Sequence, residues 1–258
     1  MTDLAVKTSE GQPRPTQPDP VWGHLVAQYD VRTLADQYPT PGALAKALDL
    51  STNQTPALDL IDSELVRLVN EPGGRLIISM PPQQGKSTRV SQIFPVWALI
   101  RDPDLPVIVA SYGEQLSERN GETIRNLIQW NAPKLGIDIE HGSSAKKRWR
   151  LEGRKGGVLS AGIGSGMTGW ASGLTIIDDP IKDRIEADSE TYRERVWGWW
   201  RDVAQTRLAP GAPVVLVLTR WHTDDLAGRL LAAEDGHRWR VVNIPAQADH
   251  HPSKGEGV

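Results

Sequence analysis

The 258-residue chain contains no cysteine and only one phenylalanine. Without thiols there is no disulfide framework and no cysteine-ligated zinc, and a reducing compartment is allowed rather than required. Charge of one sign is also missing. Lys and Arg number 29 against 32 Asp and Glu, giving a net charge of -3 and a pI near 6.1. That argues against a uniformly basic nucleic-acid binder but leaves room for a local basic face. The sequence has no run of about 18 apolar residues of the kind that spans a bilayer. The first twenty residues lack the apolar core of a signal peptide, and no internal repeat is visible. What is abundant is tryptophan, with ten residues, and enough apolar side chain (39%) for one large domain or two small ones. The tryptophan excess has no physical explanation at this level.

Residues 1–20 carry Pro13, Pro15, Pro18 and Pro20 among polar neighbours and read as a disordered arm. Residues 21–70 show helical spacing in GALAKALDL and LDLIDSELVRLVN, a helical lead-in to a core over 71–246. In that core, short apolar runs alternate with helices. RLIISM, PVIVAS (106–111), GLTIIDDP (173–180) and APVVLVLTRW (212–221) predict buried strands, and RWRVVNIPA closes the series. KRWRLEG and GGVLSAGI predict a hairpin around Gly153–Gly157. Helices are expected over 87–100, kinked at Pro95, over 113–130, and as one long element over 188–208 capped by Asp188 or Ser189. A last helix is expected with Thr223 as cap and Gly236 as stop. The alternation implies an α/β fold with a mainly parallel sheet. Residues 247–258 read as a polar linker or tail.

Three segments carry chemistry. Gly85-Lys86-Ser87-Thr88 ends like a phosphate-binding loop and lies between a strand and a helix, as that loop requires. Met80 stands where the first glycine belongs, followed by Pro81, Pro82, Gln83 and Gln84. Two prolines remove donors but stiffen the loop. Asp178 closes a buried strand, expected beside the phosphate-loop strand, where a carboxylate would hold Mg²⁺. Asp179 follows and would orient water. An Asp-Asp-Pro turn is the plainer alternative. Thr219 and Arg220 end a further apolar strand, the usual place for ligand contacts in open α/β sheets.

With these segments in order, the chain resembles the ATPase domain of a tailed-phage terminase large subunit over about Arg75 to Ala246. The stretches IISMPPQQGKST, VIVASYGEQLSERNGETIRNLI, SGMTGWASGLTIIDDPIKDRIEADSETYRERVWGWW and TRLAPGAPVVLVLTRWHTDDLAGRLL carry the likeness. The branch it resembles begins its loop with S-M-P-P. The resemblance implies a RecA-like, additional-strand P-loop NTPase fold that uses ATP and Mg²⁺. Its function would be to drive double-stranded viral DNA into a procapsid. It implies contacts with double-stranded DNA, a portal protein and a small terminase subunit, and a homo-oligomeric ring, a pentamer. The expected place is the host cytoplasm and transiently the portal, with no membrane.

On that resemblance, residues Pro82 to Thr88 (Pro82, Gln83, Gln84, Gly85, Lys86, Ser87 and Thr88) bind nucleotide, Ser87 and Asp178 hold the metal, and Thr219 couples hydrolysis to movement. Two positions depart from the family pattern. Asp179 stands where a catalytic glutamate is usual, so that role falls to Asp179 or to Glu186. Trp170 stands where relatives often have arginine, leaving Arg119, Arg125, Arg148 and Arg184 as candidates for a transition-state cation. A nuclease domain of the kind that completes such subunits is expected to be absent, and with it nuclease activity. Two other readings stay open: a nucleotide-binding assembly module without turnover, or another RecA-like DNA ATPase or helicase. The basic stretch 146–155 reads either as a solvated hairpin or as a contact for phosphates or a neighbouring subunit. Trp197 and Trp200 read as packing residues and His222 as a structural contact. His250 and His251 carry no assignment.

Overall fold

The computed structural model describes residues 36–142 and 146–246. The arm at 1–20, the start of the lead-in and the tail at 247–258 lie outside the described residues.

Two helices come first, α1 (Pro41–Leu48) and α2 (Pro56–Asn70). Each starts at a proline behind a threonine cap: Thr40 accepts from Ala43 N–H and Thr55 from Leu58 N–H. Strand β1 (Arg75–Ser79) then leads into the phosphate loop and a helix. Thr88–Ile93 of that helix is π-wound, and α3 (Phe94–Arg101) continues it. The π turn is the local answer to Pro95, which has no N–H to give and crowds the preceding turn. Phe94 N–H bonds Arg89 O, five residues back, and the helix runs on.

Strand β2 (Pro106–Ser111) is followed by α4 (Glu114–Leu135), which bends at Asn131 ahead of Pro133 and stops at left-handed Gly136. The hairpin predicted around Gly153–Gly157 is present as β3 (Arg148–Arg150) antiparallel to β4 (Gly157–Gly162). Strand β5 (Leu174–Asp178) follows. A short helix that was not expected, α5 (Arg184–Asp188), comes next. The helix expected over 188–208 is present as α6 (Glu190–Trp199), continued by a π turn (Trp200–Ala204) and a 3-10 turn (Gln205–Arg207). Ser189, one of the two expected caps, holds the cap position with an extended backbone (ψ 116°), although its side chain makes no cap bond. After β6 (Val214–Leu218) comes α7 (Leu226–Ala232), and β7 (Arg240–Asn243) ends the fold. Asp225, not Thr223, caps α7 by accepting from Gly228 N–H. The helix ends at Ala232, so Gly236 opens a separate 3-10 turn instead of stopping it.

The seven strands run β3-β4-β2-β5-β6-β1-β7, all parallel except β3. The inner strands β2, β5, β6 and β1 are mostly apolar because both faces are covered, whereas the edge strands β3 and β7 carry arginines and are partly exposed. Alternate residues serve opposite cores. Leu76, Ile78, Val107, Val109, Val215 and Val217 face α1 to α4, and Ile77, Ile108, Ile177 and Leu216 face α6, α7 and Trp170, Trp199 and Trp200. One expectation changes: the strand ending in Asp178 does not lie beside β1. Strand β6 pairs with both and separates them. This is the additional-strand arrangement. No helix among the described residues is long and apolar enough to cross a membrane.

Candidate nucleotide site

The C-terminal ends of β1, β5 and β6 meet at one edge. Because β6 lies between the other two, its end, Thr219, is central to the site. Thr219 N–H donates to Asp179 Oδ1 (2.9 Å) and its hydroxyl to Met80 O (3.3 Å).

The backbone of the loop after β1 does not require glycine at Met80. Met80 is buried and still strand-like, with its N–H bonded to Leu218 O (3.2 Å). Left-handed backbone is needed later, at Gln83 (φ 63°) and Gly85 (φ 83°). Gly85 adopts it without strain, whereas Gln83 carries it as a non-glycine residue. Pro82 to Gly85 are exposed, Lys86 is buried, and Ser87 and Thr88 open the following helix. Backbone N–H groups at such a helix start, with a lysine among them, form an anion site.

An ion pair and a hydrogen bond close the cluster. Lys86 Nζ pairs with Asp179 Oδ2 at 3.0 Å. Ser87 Oγ donates to Asp178 Oδ1 at 3.0 Å. Asp178 is 1% exposed, and its second oxygen is buried with no hydrogen-bond partner. Burial, then the charge of Asp179, pushes the Asp178 carboxyl up to about 6. The Ser91 and Ser87 hydroxyls and Lys86 pull the other way. Ser91 Oγ acts on it from outside hydrogen-bonding geometry. An orphaned carboxylate oxygen beside a serine hydroxyl fits a hard divalent cation, which would favour the ionised form. Among the described residues no cluster of three or more His, Cys, Asp or Glu could hold a metal. A cation here would therefore take most of its ligands from phosphate and water, as Mg²⁺ does.

Asp179 holds a left-handed backbone (φ 41°), rare for a residue other than glycine. Its N–H bonds Val217 O (2.9 Å), and its carbonyl accepts from Tyr112 N–H (3.2 Å). It is thus tied to β2, β6 and the phosphate loop together. Glu186 is not part of this cluster. Its carboxylate accepts from Lys182 N–H (3.1 Å), and Asp183 caps its own N–H (3.0 Å).

Trp170 is buried on the opposite face of the sheet from the phosphate-loop helix, with the guanidinium groups of Arg148 and Arg150 at 5.2 and 4.7 Å from its ring. Arg184 pairs with Asp188 (3.3 Å), and Arg119 and Arg125 lie along α4. In the basic stretch, Lys146 pairs with Glu122, and Lys147 with Glu114 and Glu118, so carboxylates of α4 offset much of its charge. His222 Nδ1 accepts from Asp224 N–H (2.9 Å), a structural contact. Trp200 packs edge-on against Trp239. A cleft of about 200 Å³ opens at the other end of the sheet beside Trp97, Arg101 and Pro213, remote from these carboxylates.

Sequence reasoning missed a second polar cluster beneath the loop. Arg89, two residues past Ser87, forms a buried ion pair with Asp62 of α2. The Gln54 carboxamide bridges both, accepting from Arg89 Nη2 (2.8 Å) and donating to Asp62 Oδ2 (2.9 Å). A signal existed: Asp62 falls within the apolar stripe Leu58, Ile61, Leu65, Leu68.

Residues 77–253 match the family model described as terminase large subunit, T4likevirus-type, N-terminal. No curated protein matches the chain. Among solved structures, the HK97 bacteriophage large terminase is similar at 14% identity and a TM-score of 0.49, over 77% of this chain and 41% of that one. A large terminase from a thermophilic bacteriophage, in complex with ADP, is similar at 12% and 0.42, over 78% and 44%. The ATPase domain of a Thermus phage large terminase, in a mutant form, is similar at 12% and 0.45, over 77% and 84%. The chain spans about two-fifths of the length of the HK97 protein.

Proposed function

The chain belongs to the terminase large subunit family as its N-terminal type, and from that premise we propose that it is an ATP-hydrolysing motor that drives double-stranded viral DNA into a procapsid. The observation that supports the reading most is the convergence of Lys86, Ser87, Asp178, Asp179 and Thr219 at one sheet edge.

Loop residues 82–88 would receive the phosphates, with backbone N–H groups and Lys86 offsetting their charge. Ser87 and Asp178 would hold Mg²⁺, which when bound offsets charge on the β- and γ-phosphates. Phosphate at Lys86 competes directly with the Asp179 carboxylate. Displaced from the lysine but still anchored at Thr219 N–H, Asp179 is then free to orient water. Thr219, bonded to both Asp179 and the loop, is the residue positioned to couple this exchange to β6. In the family context the partners would be double-stranded DNA, a portal protein, a small subunit and further copies of the chain in a ring at the portal, in the host cytoplasm.

The test is ATP turnover with and without double-stranded DNA, at several protein concentrations. Lys86→Ala should lower turnover by about 100-fold or more while the fold persists. Wild-type turnover in that variant would overturn the assignment. Binding without turnover in the wild-type protein would favour a nucleotide-binding assembly module.

A further inference from the structure

The cluster of Gln54, Asp62 and Arg89 is expensive to keep. Arg89 and Asp62 are 3% and 4% exposed at their side chains. Asp62 Oδ1 is buried without a partner. Arg89 also places a cation at the start of the phosphate-loop helix, where the helix dipole disfavours positive charge. Buried pairs of this kind are often no more stabilising than apolar side chains of similar volume. Stability alone therefore does not account for it.

The surroundings are shaped to hold it. Gly42 of α1 packs on the cluster, and a Cβ there would come within 2.7 Å of Arg89 Nη1 and 2.9 Å of Gln54 Nε2. The second Gln54 donor contact goes to Asp59 (2.8 Å), so the whole carboxamide is engaged. The cluster thus joins α1, the α1–α2 connection, α2 and the phosphate-loop helix at one point. A few residues away the same helices meet the loop itself: Leu58 of α2 stands 3.8 Å from the position a Cβ would take on Gly85.

We propose that Gln54, Asp62 and Arg89 are positioning residues for the phosphate loop. The directional ion pair fixes the rotation and depth of the Lys86–Ser87 turn against α2, which apolar packing alone would leave free to slide. This rests on the reading of residues 82–88 as a nucleotide site. Asp62 keeps Arg89 locked away from bound phosphate, so the cation facing phosphate is Lys86. None of the three touches nucleotide.

The decisive variant replaces the pair by apolar side chains of similar size, Asp62→Leu with Arg89→Met. Such a swap is expected to retain folding. With folding confirmed by circular dichroism and thermal melting, the expected result is a KM for ATP raised tenfold or more, at a melting temperature equal to or above that of the wild type. Gln54→Ala, at an exposed position, should raise KM about threefold with kcat little changed. Wild-type KM in the folded double variant overturns the proposal. Should that variant not fold, wild-type KM in Gln54→Ala overturns it. Absence of ATP binding by the wild-type protein would instead defeat the nucleotide reading, so the two failures are distinguishable.

Discussion

On one face of the sheet Arg89 and Asp62 pair in a core that excludes water. On the other, Asp224 lies between Arg193 (3.1 Å) and Arg229 (2.8 Å), with Glu194 completing the cluster, and its side chain is 45% exposed. The first cluster braces the phosphate-loop helix, the second the loop that follows Thr219. The ion types are the same, but the physical outcomes are opposite. Burial raises the Asp62 carboxyl above its ordinary range despite Arg89 and Gln54. At Asp224, hydrogen bonds from Arg229 and Arg193 outweigh the burial penalty and hold the carboxyl well below that range. Proximity of opposite charges therefore does not by itself say what an ion pair contributes. The buried pair gives placement, and the exposed one a modest, salt-dependent stabilisation.

The largest effect that would sharpen this contrast is Asp62→Ala. Arg89 would be left buried and unpaired, and the variant should lose about 3–5 kcal/mol of stability, read from urea midpoints. A loss below about 1 kcal/mol would erase the difference between the clusters. Asp224→Ala should cost about 1 kcal/mol or less, and that loss should shrink as salt is added, whereas the loss from Asp62→Ala should not.

The smallest effect is the pH response, and its sign separates the two sites. A folded pKa above the unfolded value of 3.8 means that Asp62 favours folding when protonated, so its contribution declines as pH rises past 3.8. A depressed pKa gives Asp224 a contribution present above 3.8 and lost as pH falls below it. Melting curves across that range should show the Asp62→Asn difference from wild type shrinking as pH rises and the Asp224→Asn difference growing. The same pH trend in both variants would break the comparison.

Much of this was legible in the sequence. Apolar runs bounded by polar residues marked β1, β2, β5 and β6, and Gly85-Lys86-Ser87 marked the loop, because strand burial and phosphate chemistry leave local patterns. Capping was less legible. Thr223 and Asp225 are both competent caps, and only the path of the chain into α7 selects Asp225. The boundary at Ser189 was legible, but α5, only five residues long, is too short to show a helical repeat.

The sequence by itself determined which strands exist, which residues bear charge, and that a lysine and a serine follow a tight turn. Tertiary structure alone decided that β6 lies between β1 and β5, and so that Thr219 contacts Asp179 and Met80. Parallel strands are joined by long crossovers, and nothing local encodes their order. The same holds for the carboxylates: Asp62, Asp178 and Asp224 share one chemistry in the sequence. Their different proton affinities come from burial and from the cations that the fold brings to them.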